Sequence, residues 1–160
     1  MHPLAETLLD EPVIAAVKTD DALTAALASP CSTVFLLAST LLNVGELVRR
    51  IHAAGKLAVV HIDLVDGLSA REVAVNSLIA LCHPDGIIST HPSLIRRARH
   101  QGLLTIQRAF ILDSLSLNNH SGQLEQGKPD FVEILPGLMP RVITEISTRT
   151  RVPVIAGGLL

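Results

Sequence analysis

The feature that most constrains this sequence is the alternation of short apolar runs with longer amphipathic segments. Seven runs are rich in Val and Ile, are bounded by Gly, Pro or Asp, and start about 20 to 30 residues apart. Such runs are typical of strands buried on both faces of a parallel sheet. The seven predicted strands are Val13–Val17, Val34–Ala38, Leu57–Ile62, Gly86–Ser89, Leu104–Phe110, Phe131–Leu135 and Val154–Ala156.

Six helices are predicted between these strands. Capping-box spacings open two of them, Asn43 with Glu46 and Ser69 with Glu72, and a third has Pro92 in its first turn and Gly102 at its end. The other three are predicted at Asp20–Ala28, at Ser114–Gln126, and on a stripe of Leu138, Val142, Ile143 and Ile146.

Seven strands and six helices in strict alternation predict an α/β fold with a parallel sheet. The count fits both a TIM-like (β/α) barrel and an open doubly wound sheet. No G-x-G-x-x-G follows the first strand, which excludes the dinucleotide-binding version of the open sheet.

Composition narrows the function classes. A length of 160 residues predicts one domain over residues 1–160, and 48% hydrophobic residues exclude a disordered chain. The lack of Trp and Tyr excludes an unspecific single-strand binder, and the net charge of −2 excludes a general polyanion binder. Cys31 and Cys82 have no zinc spacing, so we expect two buried free thiols. Without a signal peptide or membrane span, the expected location is cytoplasmic.

In a barrel, alternate residues of each strand face the central axis. His61 and Asp63 alternate with the apolar set Ala58, Val60, Ile62 and Leu64. The apolar set is predicted to face outward, toward the helices, so His61 and Asp63 are predicted to face inward. The same alternation directs Glu133 inward and puts Lys18 at the end of the first strand. Gln107 and Arg108 are neighbours, so only one of them faces inward, and the sequence does not decide which.

These groups follow the carboxyl ends of strands, where barrels carry their sites. The glycine pair after the seventh strand suits phosphate binding through backbone N–H groups, although it also suits a tight turn. A ligand pocket is favoured over a self-neutralising charge network. The residues predicted to bind a ligand are Lys18, His61, Asp63, Arg108, Glu133, Gly157 and Gly158.

Two other chemistries remain open for this cluster. His61 and Asp63 could ligate a metal, but two ligands two residues apart are a weak signal. His61 as a base and Glu133 as an acid would support an enzyme. We assign no catalytic residue, metal or cofactor, and expect a protein that is not an enzyme.

Seven stretches in chain order carry a resemblance to one family. They are Pro12–Lys18, His61–Ser69, Asp85–Thr90, Thr105–Phe110, Ile111–Ser114, Pro129–Pro140 and Pro153–Leu159. Together they resemble the glycerol uptake operon antiterminator regulatory proteins. The resemblance implies a TIM-like barrel that senses glycerol 3-phosphate and, with it, acts on the leader of glycerol-gene mRNA to prevent premature termination.

One departure from that family concerns the carboxyl end. The family continues past the Ala-Gly-Gly-Leu strand into another helix and an eighth strand, whereas this sequence stops at Leu160. We therefore expect an incomplete barrel without that helix and strand, as in a truncated version of a longer chain. Its first and seventh strands would then be unpaired edges.

An RNA partner requires a basic surface, and the densest basic cluster is Arg96, Arg97 and Arg99 on one predicted helix. Helical spacing turns Leu94, Ile95 and Ala98 toward the sheet and leaves the arginines outside. The cluster is the predicted RNA contact, and the alternative is an ordinary solvated helix face. The competing functions are a phosphometabolite enzyme and a ligand-binding barrel without RNA activity. The oligomeric state is open, with a homo-oligomer among the options.

Overall fold

The structure is a computed structural model that describes residues 1–158. Its nine strands, counted over those residues, are β1 (Ala15–Val17), β2 (Thr33–Leu36), β3 (Ser39–Thr40), β4 (Leu57–His61), β5 (Val65–Asp66), β6 (Gly86–Ser89), β7 (Leu104–Phe110), β8 (Phe131–Leu135) and β9 (Val154–Ala156). Its helices are α1 (Ala5–Asp10), α2 (Asp20–Ala28), α3 (Val44–Ala53), α4 (Val73–Cys82), α5 (Pro92–His100), α6 (Ser114–Gly127) and α7 (Pro140–Arg149).

Seven of the strands form one parallel sheet in the order β1-β2-β4-β6-β7-β8-β9. All seven predicted strands are in this sheet, which curls into a TIM-like half-barrel and confirms the predicted fold class. Within the described residues, β1 and β9 each pair with one strand only. None of the helices formed by these residues is long and apolar enough to cross a membrane.

Two apolar layers hold the curled sheet. On the outer face, strand residues such as Val60 and Ile87 pack against helix residues such as Val48 and Leu94. The inner face is filled by large side chains from successive strands, namely Phe35, Val59, Ile88, Ile106 and Phe131. Because the helices cover the outer face and the inner side chains cover the other, both faces of each strand are buried. This explains why the strands are unbroken apolar runs in the sequence.

The sequence analysis missed the short helix α1. Ala5 and Leu8 are buried in the inner cluster, so this helix closes the amino-terminal end of the half-barrel. His2 fixes its start, because its ring Nε2 lies 2.9 Å from the carbonyl oxygen of Gly102. A six-residue helix held by such distant contacts leaves almost no periodic signal in the sequence.

The predicted helices are all present, but their starts follow only some of the predicted signals. Pro92 lies in the first turn of α5, and Gly102 adopts φ +77° just after its end, as predicted. The capping boxes at Asn43 and Ser69 were wrong. The side chain of Asn43 accepts from the N–H of Thr40 at 2.7 Å instead, and Ser69 lies outside α4.

A capping box that the sequence analysis did not identify opens α6. Asp113 Oδ1 accepts from the Ser116 N–H at 2.8 Å, and Ser116 Oγ accepts from the Asp113 N–H at 3.0 Å. These bonds satisfy two donors at the helix end. They fix where α6 leaves the carboxyl end of β7, next to the polar groups described below.

The cysteines are both free. Cys82 is buried, as predicted, and burial raises the pKa of its thiol to about 12, so it stays uncharged at neutral pH. Cys31 is only half-buried, so that part of the prediction was wrong.

Candidate ligand-binding site

A buried ion pair lies at the centre of the predicted site. β7 and β8 pair in a register that puts Arg108 beside Glu133. Arg108 Nε donates to Glu133 Oε2 at 2.7 Å, and Nη2 donates to Oε1 at 3.2 Å. Only 7% and 5% of these side chains are exposed. Two parallel bonds in a water-poor setting fix the guanidinium plane, so its remaining N–H donors point in defined directions.

The structure also decides between the neighbours Gln107 and Arg108. Gln107 faces outward and is fully buried near α6, where a Cβ on Gly127 would lie 2.4 Å from its Oε1. Neither amide atom of Gln107 has a hydrogen-bond partner among the described residues. Arg108 is therefore the inward member of the pair.

Arg108 and Glu133 line a cavity of about 600 Å³ at the carboxyl end of the sheet, called here the central cavity. Lys18, Gly157 and Gly158 line it too, so it gathers five of the seven predicted ligand-binding residues. Its apolar lining is formed by Phe35, Leu37, Leu64, Leu135 and Ile155. Two cations against one carboxylate leave a formal surplus of one positive charge, which favours an anionic ligand.

The glycine pair has a structural reason that is different from the predicted one. A Cβ on Gly157 would lie 2.4 Å from Glu133 Oε1, so only glycine leaves room for the ion pair. The Gly157 N–H already donates to the carbonyl of Ile134 at 3.0 Å. Gly158 adopts φ +69°, a left-handed conformation that glycine tolerates best. Phosphate binding by this pair stays a prediction, and the N–H of Gly157 is occupied.

His61 does not line the central cavity and is 3% exposed. Its Nδ1 has no hydrogen-bond partner among the described residues. Burial and the nearby charge of Arg108 lower the pKa of His61 to about 4, against the opposing effect of Asp63. The imidazole is therefore neutral at pH 7, and a direct ligand contact by it stays a prediction.

Asp63 does not lie where strand parity put it. β4 ends at His61, and Ile62–Leu64 form a 3-10 turn, so the alternation stops there. The Asp63 carboxylate accepts from Ser89 Oγ at 2.6 Å and from the N–H and hydroxyl of Thr90 at 2.8 and 2.9 Å. Burial alone would raise the pKa of Asp63, but these bonds outweigh it and lower the pKa. The predicted inward position was wrong, and the outward prediction for Leu64 was wrong for the same reason.

A second cavity, of about 310 Å³, lies between β7 and α6 and is called here the α6 cavity. Arg108 borders it as well, together with Thr90, Ser116, Asn119 and His120. His120 is 4% exposed, its Nε2 has no partner among the described residues, and burial lowers its pKa. The sequence analysis missed this group, because His120 lies in a polar stretch without a clear apolar stripe.

The predicted RNA cluster divides in the structure. Leu94, Ile95 and Ala98 are buried, as predicted. Arg96 lies 3.4 Å from the Glu72 carboxylate, and Arg97 donates to the Asn76 side chain at 3.2 Å, so both turn toward α4. Arg99 points the other way and donates to the Lys128 carbonyl. The three arginines therefore do not form one surface, and RNA contact by any of them stays a prediction.

The described residues also bear on metal binding. Across residues 1–158, no group of three or more His, Cys, Asp or Glu side chains is arranged to hold a metal ion. The structure thus places a buried ion pair beside a cavity with a surplus of one positive charge at the carboxyl end of an α/β half-barrel, which is where barrels carry their sites.

Comparison with known proteins gives the family. The sequence profile of the glycerol-3-phosphate responsive antiterminators matches residues 13–160. The chain belongs to this family. An uncharacterized Escherichia coli protein, YgcP, is 42% identical over 158 residues, covering 99% of this chain and 83% of that protein.

Solved structures agree with this assignment. The Listeria monocytogenes glycerol uptake operon antiterminator regulatory protein is 33% identical, with a TM-score of 0.88 over 92% of this chain and 80% of that one. A Thermotoga maritima glycerol uptake operon antiterminator-related protein is 33% identical, with a TM-score of 0.79 over 91% and 81%. Deoxyribose phosphate aldolase from Aeropyrum pernix, 11% identical with a TM-score of 0.64 over 98% and 83%, shares the fold alone.

Proposed function

We propose that this chain binds glycerol 3-phosphate in the central cavity and, with it, acts on the leader RNA of glycerol genes as a transcription antiterminator. The observation that carries the proposal is the Arg108–Glu133 pair facing a cavity that Lys18 also lines. A phosphate monoester carries nearly two negative charges at pH 7. Lys18 and the N–H donors of Arg108 that Glu133 leaves unused match that charge.

The rest of the cavity suits the rest of the ligand. Glu133 is a hydrogen-bond acceptor for hydroxyl groups, and the apolar lining by Phe35 and Leu37 suits a short carbon chain. A volume of about 600 Å³ is ample for a three-carbon phosphoester and falls in the ordinary range for small-ligand sites, about 300–1,000 Å³.

The regulatory reading is favoured over an enzyme on the same scaffold. The predicted acid–base pair does not meet in the cavity, because His61 does not line it and Glu133 already accepts two bonds from Arg108. The family is named for a regulatory response to glycerol 3-phosphate. Acting on nascent transcripts places the protein in the cytoplasm. A homo-oligomer stays a prediction that sedimentation would test.

A thermal-shift experiment tests the ligand. At 100 times the dissociation constant, glycerol 3-phosphate should add about 2.7 kcal/mol to the free energy of unfolding. For a chain of this length, that is a rise in melting temperature of about 5–11 °C. Glycerol at the same concentration should give no comparable rise. An equal response to both compounds, or none to glycerol 3-phosphate, would refute the proposed ligand.

The variant Lys18→Met tests the position of the ligand. It removes one cation from the cavity and should reduce the shift with glycerol 3-phosphate. Arg141→Met is the matched control, because it removes one exposed cation from the start of α7, outside the cavity. Equal shifts in the two variants would place the ligand elsewhere.

A further inference from the structure

The inference concerns a cleft at the opposite end of the sheet from the central cavity. It has a volume of about 500 Å³ and lies where α5, α6 and α7 end. Four of its lining residues are cations, Arg99, Lys128, Arg149 and Arg151, against the single carboxylate of Glu125. This region is called here the basic cleft. Its charge stands out because the whole chain has a net charge of −2.

Two of these cations already have partners. Arg149 lies 2.5 Å from the Glu145 carboxylate, and Arg99 donates to the Lys128 carbonyl. Lys128 and Arg151 are exposed and form no ion pair with the described residues. Basic side chains commonly lie near the ends of helices, where they complement the helix dipole. Lys128 is the C-cap residue of α6, whereas Arg151 lies two residues past the end of α7, in the segment that leads into β9.

The floor of the cleft is apolar. Leu124 and Pro129 are buried and Val152 is half-buried, and all three line the cleft between the cations. An apolar floor with cations around it matches a nucleotide whose base is unstacked and whose phosphates lie at the rim. Single-stranded RNA presents such nucleotides, whereas the bases of an RNA duplex stay paired and stacked.

We propose that the basic cleft binds a single-stranded segment of the leader RNA, with Lys128 and Arg151 contacting phosphates and the Leu124–Val152 floor contacting a base. This inference rests on the proposed RNA function and gives it a location. It moves the contact from the exposed face of α5 to the region between α5, α6 and α7. Arg99 is the one residue that both locations have in common.

The position of the cleft separates RNA from the small ligand. Lys128 and Pro129 precede β8, whereas Glu133 and Leu135 lie in the half of β8 that reaches the central cavity. The two ligands therefore occupy opposite ends of the same strands. They bind at the same time, and glycerol 3-phosphate does not displace the RNA by competition.

The test uses the double variant Lys128→Glu/Arg151→Glu and in vitro transcribed leader RNA of glycerol genes, with glycerol 3-phosphate present. Each phosphate contact on single-stranded RNA contributes about 0.7 to the slope of log affinity against log salt concentration. Loss of two contacts should lower the slope by about 1.4 and weaken binding about 25-fold at 0.1 M salt. The thermal shift with glycerol 3-phosphate should stay unchanged, which shows that the variant is folded.

The double variant Arg71→Glu/Arg141→Glu is the matched control. It makes the same charge change at two exposed arginines outside the cleft that form no ion pair among the described residues. Equal weakening in both variants would overturn the cleft while leaving RNA binding intact. The proposed cleft would also be overturned if an RNA duplex competed with the leader RNA for the protein as well as single-stranded RNA does. No leader binding by the wild-type chain would instead refute the proposed RNA function.

Discussion

The contribution of the buried Arg108–Glu133 ion pair to the free energy of unfolding can be measured directly. The substitution Glu133→Leu removes the partner of a guanidinium that is only 7% exposed. An unpaired buried charge of this kind costs about 3–5 kcal/mol of folding free energy. For a chain of this length, that is a fall in melting temperature of about 6–20 °C. Urea unfolding followed by circular dichroism measures the loss directly.

A matched control exists on α7. Glu145 lies 2.5 Å from Arg149, but 36% and 49% of these two side chains are exposed. Exposed pairs contribute about 0–1 kcal/mol, so Glu145→Leu should have little effect. The two substitutions make the same chemical change and differ in the burial of the ion pair that they break.

A double variant separates the ion pair from general damage. Arg108→Met combined with Glu133→Leu leaves no unpaired charge, so it should be less destabilised than the sum of the two single variants. The reasoning is refuted if Glu133→Leu costs no more than Glu145→Leu, or if the two single losses simply add.

Two further predictions concern residues next to this pair. Gly157→Ala puts a Cβ 2.4 Å from Glu133 Oε1 and should cost about 1–3 kcal/mol in urea unfolding, whereas Gly122→Ala, with open space around it, should not destabilise. The pKa of His61 is about 4 when folded and about 6.5 when unfolded, so the unfolded state binds more protons between these values. Folding stability should therefore fall by about 3 kcal/mol from pH 6.5 to 4. His61→Gln should lose most of that slope, and an unchanged slope would contradict the assignment.

The sheet could be predicted well from the sequence, because strands that are buried on both faces consist of unbroken apolar runs. Leu104–Phe110 and Phe131–Leu135 match their strands residue for residue. The helix α1 was missed because its burial depends on distant residues of the inner face. The predicted stripe began at Leu138, two residues too early, because α7 begins at Pro140.

The site was predictable as far as strand alternation extends and no further. Alternation brought Glu133 to the inner face, but it failed at Asp63, because a 3-10 turn ends the period of two after His61. Arg108 shares its face of β7 with Leu104 and Ile106, which lie in the inner cluster, but the sequence of a strand that is apolar on both faces does not show which face is the inner one. The α6 cavity depends on how α6 packs beside β7, which no local pattern in the sequence around His120 contains.

Arg108 borders both the central cavity and the α6 cavity, so this one side chain connects the proposed ligand site with α6. A ligand that shifts the Arg108 guanidinium in the central cavity would therefore also change the lining of the α6 cavity, to which His120 contributes. The whole of α6 is 14 residues long, about 21 Å; Ser116, Asn119 and His120 in its first half line the α6 cavity, and Leu124 in its second half lines the basic cleft. The helix α6 thus borders both the cavity that shares Arg108 with the proposed ligand site and the proposed RNA site, so a displacement of α6 is the coupling that we expect between the two proposed sites.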